Sequence, residues 1–357
     1  MRTRVVVYVA GLAVVAALVG VVAWRLLGAT TTYREALDTL PASTLRTTFT
    51  DWSHVRQEAG GSGLGADASR AKVDAFLERA YDLDLTFGSA VSESTYALQR
   101  RFGFSPLEAQ WEVFGQSRDG QVDVLRLDDD VDVAALEGRL RTLGYTPPSK
   151  GAGSGGTWVG GADLVAKLDP ELTPVQQNVV VIPDEHLVLM SDNAAYVSSA
   201  ASVVTGASTS LGSASGVDDL ASAAGEPVTA VQWASTFACE DLSMGAADDE
   251  DQQAGEDLVE EAGGVSPVQG VLMAQHADRS LVFGLHFETS EQASRNLQPR
   301  VDLASGPAPG QGGSFGERFT ITSGEADGQD VVIEARPRSR DALLSDITSG
   351  PVLFATC

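Results

Sequence analysis

The chain has 357 residues, 43% of them hydrophobic and 20% charged, with a formal net charge of −25 and two cysteines. That apolar content excludes a disordered chain. So acidic a surface excludes nucleic acid as a partner, because phosphate binding relies on lysine and arginine, and it opposes docking of the soluble part on anionic lipid.

Residues 5–24 form an uncharged apolar run. As a helix rising 1.5 Å per residue it spans about 30 Å, the hydrocarbon thickness of a bilayer. Arg2 and Arg4 precede it, and Tyr8 and Trp24 sit near its ends, where aromatic rings favour the interface. The run is longer than a signal-peptide core, no small-residue cleavage site follows Trp24, and no cysteine stands ready for lipid attachment. Residues 1–28 therefore read as an uncleaved transmembrane anchor whose partner is the lipid bilayer.

Beyond the anchor, residues 30–40 read as a short helix stopped by Pro41, residues 44–49 as a strand, and 52–58 as a helix capped by Asp51. A glycine-rich loop at 60–65 leads to a helix capped by Asp67 and running through Tyr81, with Val73, Phe76, Leu77 and Ala80 at helical spacing. Another helix is expected over 89–102. The clearest pattern follows: strands at 111–116 and 122–127 around an Asp-Gly turn, then a helix capped by Asp130 or Asp132 that runs to 143. After a glycine-rich stretch at 150–156, the idiom returns as a hairpin at 179–182 and 187–190 and a helix over 194–204. It returns twice more, with hairpins at 268–274/281–287 and 315–322/331–335 and helices at 290–301 and 339–347.

Ser105-Pro106 precedes the first unit and Ser266-Pro267 its counterpart, which points to an internal duplication of pattern. The expected fold is α+β: an N-terminal transmembrane helix, then duplicated strand-strand-helix units forming antiparallel sheets with helices on one face. The domain division is 1–28 anchor, 29–205 first α+β domain with a helical N-terminal part, 206–225 a Ser/Gly/Ala-rich linker, and 226–357 second α+β domain.

Tests for chemistry return little. Residues 312–316 match G-x-S-x-G, but a loop leads into a strand there and no histidine follows His286, so the nucleophile-elbow context fails. Ser69 and Lys72 stand at S-x-x-K spacing, which puts a base one helical turn from a hydroxyl, and Ser191-Asp192-Asn193 supplies a second signature of serine acyltransferases; no K-T-G completes the set. Asp128, Asp130 and Asp132 imitate the start of an EF-hand, with Val133 where glycine is required. The run 248–261 comes closer and still lacks the glycine. His54, His186, His276 and His286 show no ligand spacing, and the G-x-G-x-x-G at 151–156 opens on a strand where a helix is needed. No catalytic, cofactor or metal residue is assigned from sequence.

Cys239 and Cys357, an even and very low count in an exported chain, read as one disulfide. The resulting expectation is a single-pass membrane protein with its C-terminal region outside the cytoplasm. There it would act as a binding or scaffold module of the bacterial cell envelope, toward an unknown envelope protein or small ligand. The alternatives are an exported serine hydrolase or acyltransferase using Ser69 and Lys72, and a calcium-responsive envelope protein using 248–261.

Overall fold

The computed structural model describes residues 31–149, 155–339 and 342–357. The expected anchor at 1–28 and most of the glycine-rich stretch at 150–156 lie outside the described residues. Among the described residues no helix is long and apolar enough to cross a membrane.

Among the described residues, eleven antiparallel strands form one sheet in the order β10-β11-β9-β8-β7-β1-β2-β3-β6-β5-β4. In chain order they are β1 (Arg46–Thr50), β2 (Ala109–Gln116), β3 (Gln121–Leu127), β4 (Trp158–Val159), β5 (Asn178–Ile182), β6 (Leu187–Ser191), β7 (Thr229–Ala234), β8 (Gly270–Gln275), β9 (Leu281–His286), β10 (Phe319–Asp327) and β11 (Asp330–Pro337). The strand order shows the repeat directly. β1-β2-β3-β6-β5 on one side has the topology of β7-β8-β9-β11-β10 on the other, with β4 added at one edge. The two halves join through β1 and β7, which pair antiparallel about Thr48↔Val231. The sheet therefore continues unbroken from one half into the other.

The four hairpins read from sequence are present, and so are several of the helices that follow them: α4 (Ala135–Leu143), α6 (Ala194–Val204) and α10 (Ser290–Leu303). Preceding these in the chain are α1 (Thr32–Leu37), α2 (Trp52–Glu58) and α3 (Arg70–Asp82). Local chemistry explains their limits. Asp51 accepts the His54 N–H to start α2, Asn193 accepts from Ala195 and Tyr196 to start α6, and Thr289 with Gln292 forms a capping box on α10.

Helices do not keep to one face, and this corrects the expected layering. One face carries α1, α6 and α7 (Ser215–Ala224), whose Tyr33, Leu37, Val197, Val217 and Leu220 pack on Phe49, Val113, Val180 and Leu272. The opposite face carries two separate cores. Over the first half, α2, α3 and α4 bury Trp52, Phe76 and Leu140 against Leu125, Val181 and Met190. Over the second, α8 (Phe237–Asp241), α10, α11 (Phe315–Arg318) and α12 (Leu344–Ile347) pack with Val271, Phe283 and Ile333, while α9 (Asp249–Glu261) rests partly buried residues on that core. The cause is visible in the strands: β5 to β9 are buried at every position, so both of their sides need cover.

Four other differences have local causes. Residues 215–224, inside the stretch read as a linker, form α7 because Val217, Leu220, Ala221 and Ala224 make a buried stripe at helical spacing. Residues 89–94 are not helical; the helix expected at 89–102 shrinks to Thr95–Ala97 and a π turn over Leu98–Phe102. The Ser89 hydroxyl accepts the Val91 and Ser92 N–H groups and competes with helical bonding. The strand expected from 315 begins only at Phe319, because Ser314 and Glu317 close a capping box on α11. Finally, α5 (Ala162–Leu168) and β7 carry no periodicity that stood out in sequence.

Candidate functional site

Residues 84–94 run across the middle of the sheet on its two-core face and join the cores. Leu85 and Val91 belong to the core of the first half, and Phe87 packs on that of the second. Asp84 sits at φ 59°, and its Oδ2 accepts the N–H groups of Leu343, Leu344 and Ser345 at 2.7, 2.6 and 3.3 Å. A carboxylate from the first half thus caps α12 of the second, where the helix dipole favours negative charge. At the centre, the Thr48 hydroxyl donates to the Gly88 carbonyl, and an added Cβ at Gly88 would lie 2.9 Å from Thr48 Cβ, so the backbone approaches β1 closely.

Glu112 on β2 anchors this segment from below. Its carboxylate accepts from Trp52 Nε1 at 2.7 Å, from the Ser89 hydroxyl at 2.7 Å and from the Ala90 N–H at 2.6 Å. Asp123, on β3 and facing the same side, is fully buried, and no N–H or hydroxyl donor reaches either of its oxygens. Its companion is the Glu112 carboxyl. Burial pushes Asp123 well above the ordinary carboxylate range, and the Glu112 charge pushes it the same way. Burial raises Glu112 as well, but its three donors offset part of that and Asp123 has none, so of the two Asp123 is the one that holds the proton and donates it to Glu112. One carboxylate and one carboxylic acid are thereby buried as a single hydrogen-bonded unit.

Above this pair lies a cleft of about 310 Å³ lined by Leu77, Tyr81, Phe87, Ser89, Glu93 and Thr173. Tyr81 is 70% exposed at its mouth. An apolar wall with a few convergent polar groups is the usual make-up of a ligand pocket. The Ser89 hydroxyl donates to Glu112 and accepts the Val91 and Ser92 N–H groups, so it is not poised as a nucleophile.

The residues singled out from sequence are dispersed. Ser69 is the N-cap of α3, and exposed Lys72 follows one turn later, its N–H donating to the Ser69 carbonyl. The Ser191 hydroxyl instead donates to the Gln121 carbonyl, while Asn193 caps α6. The 248–261 run is α9, with Asp248 accepting from Glu250 and Asp251 as its cap. His54 bonds Asp51, and His276 reaches the Ala224 carbonyl.

Cys239 and Cys357 are brought together as a disulfide, with Cα atoms 5.5 Å apart across 118 residues. It ties the chain end to α8. Arg300, fully buried on α10, adds to this by donating to the Phe354, Thr356 and Ser266 carbonyls. Burial with no carboxylate partner lowers its guanidinium to about 9. Sequence reasoning missed the seam, Glu112 and Asp123 among them. Its only trace was two carboxylates on otherwise apolar strands, Trp111–Phe114 and Val122–Leu125.

No protein-family model matches this sequence. No curated protein matches it either. Among solved structures, crystal form I of TP0453 is similar over 88% of this chain and 96% of that chain, at 9% identity and a TM-score of 0.39.

Proposed function

We propose that the chain is a membrane-anchored, extracytoplasmic binding module of the bacterial cell envelope, with the cleft lined by residues of the first half between Leu77 and Glu93 and by Thr173 as the place where a ligand or envelope partner engages. The apolar run at 5–24 supplies the tether, and the acidic, doubly covered sheet is the displayed body. The observation that carries the reading is the Cys239–Cys357 disulfide, because such bonds persist outside the reducing cytoplasm.

The test is peptide mapping of protein taken from its native membrane, alkylated before and after reduction. A single linked peptide pair containing Cys239 and Cys357 supports placement outside. Free alkylation of both thiols without reductant would turn the soluble region toward the cytoplasm and end the proposal.

A further inference from the structure

On the single-core face, away from the seam, β9 ends at His286 and β11 begins at Asp330, and the two are direct partners in the ladder. His286 Nδ1 lies 2.6 Å from Asp330 Oδ1, and both side chains are buried. Helix α7 crosses above them. Its Gly216 passes so near the imidazole that an added Cβ would lie 2.6 Å from His286 Cδ2. Gly284 on β9 likewise admits Leu220 of α7, where an added Cβ would stand 2.7 Å from Leu220 Cδ2. This close approach brings Asp219, one turn after Gly216, to the exposed side of the pair. The three residues then present one donor atom each, all within 4.8 Å of one another.

In a tetrahedral zinc site with bonds of about 2.0 Å, donor atoms stand about 3.3 Å apart. The spacing here, 2.6 Å for the His286–Asp330 pair and at most 4.8 Å for the others, is of that order. Two strands and a helix hold the donors, which is the rigid mounting a metal site requires. The charge balance is also suitable. Two carboxylates converge on one imidazole, and the cation on that side, Arg34, is paired with the neighbouring Asp218. Asp219 faces solvent, so an ion has a route in.

We propose that Asp219, His286 and Asp330 bind a divalent transition-metal ion of the zinc type. One nitrogen and two oxygens suit Zn²⁺ or its neighbours, whereas Ca²⁺ and Mg²⁺ prefer sites built from oxygen alone. The site is independent of the membrane placement and of the seam cleft.

The test uses full-length protein in detergent, stripped with chelator and titrated with Zn²⁺ by calorimetry and with Co²⁺ by absorption. The wild type is expected to take up one ion per chain. Asp219→Asn, at an exposed position that leaves folding intact, is expected to weaken binding about tenfold or more, and His286→Gln to remove the nitrogen-dependent part of the Co²⁺ spectrum. Absence of binding in the wild type would overturn the proposal. So would equal affinity in the wild type and Asp219→Asn, which places the ion elsewhere, or Ca²⁺ binding as tightly as Zn²⁺.

Discussion

Asp123 and Glu112 share one proton because neither can reach water and only one can be charged. The unfolded chain releases a proton from Asp123 near pH 4, whereas the folded chain keeps it well above that. Between those limits the native state binds more protons, so its stability falls as pH rises. The contribution is complete below about pH 4 and is lost progressively upward through the raised folded value. Asp123→Asn keeps a donor toward Glu112 without the titration. We expect it to be more stable than wild type at pH 8, by about 1 kcal/mol, and to flatten the dependence. Urea unfolding at pH 5 and pH 8 checks this; identical slopes for the two proteins would remove the shared proton. The sequence shows both acids plainly, but strand alternation alone did not reveal that they share a buried face.

Helix α7 illustrates how an element acquires its place. Gly→Ala within a helix normally stabilises, by about 1 kcal/mol in the interior, and Gly216 stands in the first turn of α7. At Gly216 the sign should reverse. The added methyl would meet the His286 ring, which Asp330 and α7 hold in position. We expect Gly216→Ala to destabilise by about 1–3 kcal/mol, measured by thermal unfolding. A gain in melting temperature would mean that α7 stands farther from β9 than the structure shows. The apolar stripe Val217, Leu220, Ala221 and Ala224 was present in sequence; the surrounding Ser, Gly and Ala obscured it. At 89–94 a sequence read as helical is held open by Glu112 and Ser89, a tertiary decision no local propensity announces.

At the scale of the molecule, two like-folded halves share one sheet and the single core on one of its faces, and they are joined further by the β1–β7 ladder and by the seam at 84–94, whose Asp84 caps α12. The second half is closed by the disulfide, which spans 118 residues. Loops of that length restrict the unfolded chain strongly, so replacing both cysteines by serine should cost about 2–4 kcal/mol. Chemical unfolding of the double variant is the measurement. No loss of stability would show that Arg300 and the apolar contacts of 352–355 hold the chain end unaided.

The sequence by itself determined the acidic character, the apolar run at 5–24, the hairpins with their caps, the repeated order of elements and the pairing of the two cysteines. Each of these rests on neighbours in the chain: turn residues, capping side chains, spacing at two or 3.6 residues, or a count of two thiols. Only the tertiary structure decided that both faces of the sheet are covered and that the halves form one sheet. It alone set Glu112 beside Asp123 and Asp219 beside His286 and Asp330. Those groupings join positions up to 111 residues apart through strand register and helix packing, which are set by burial across the whole sheet and leave no local period in the chain.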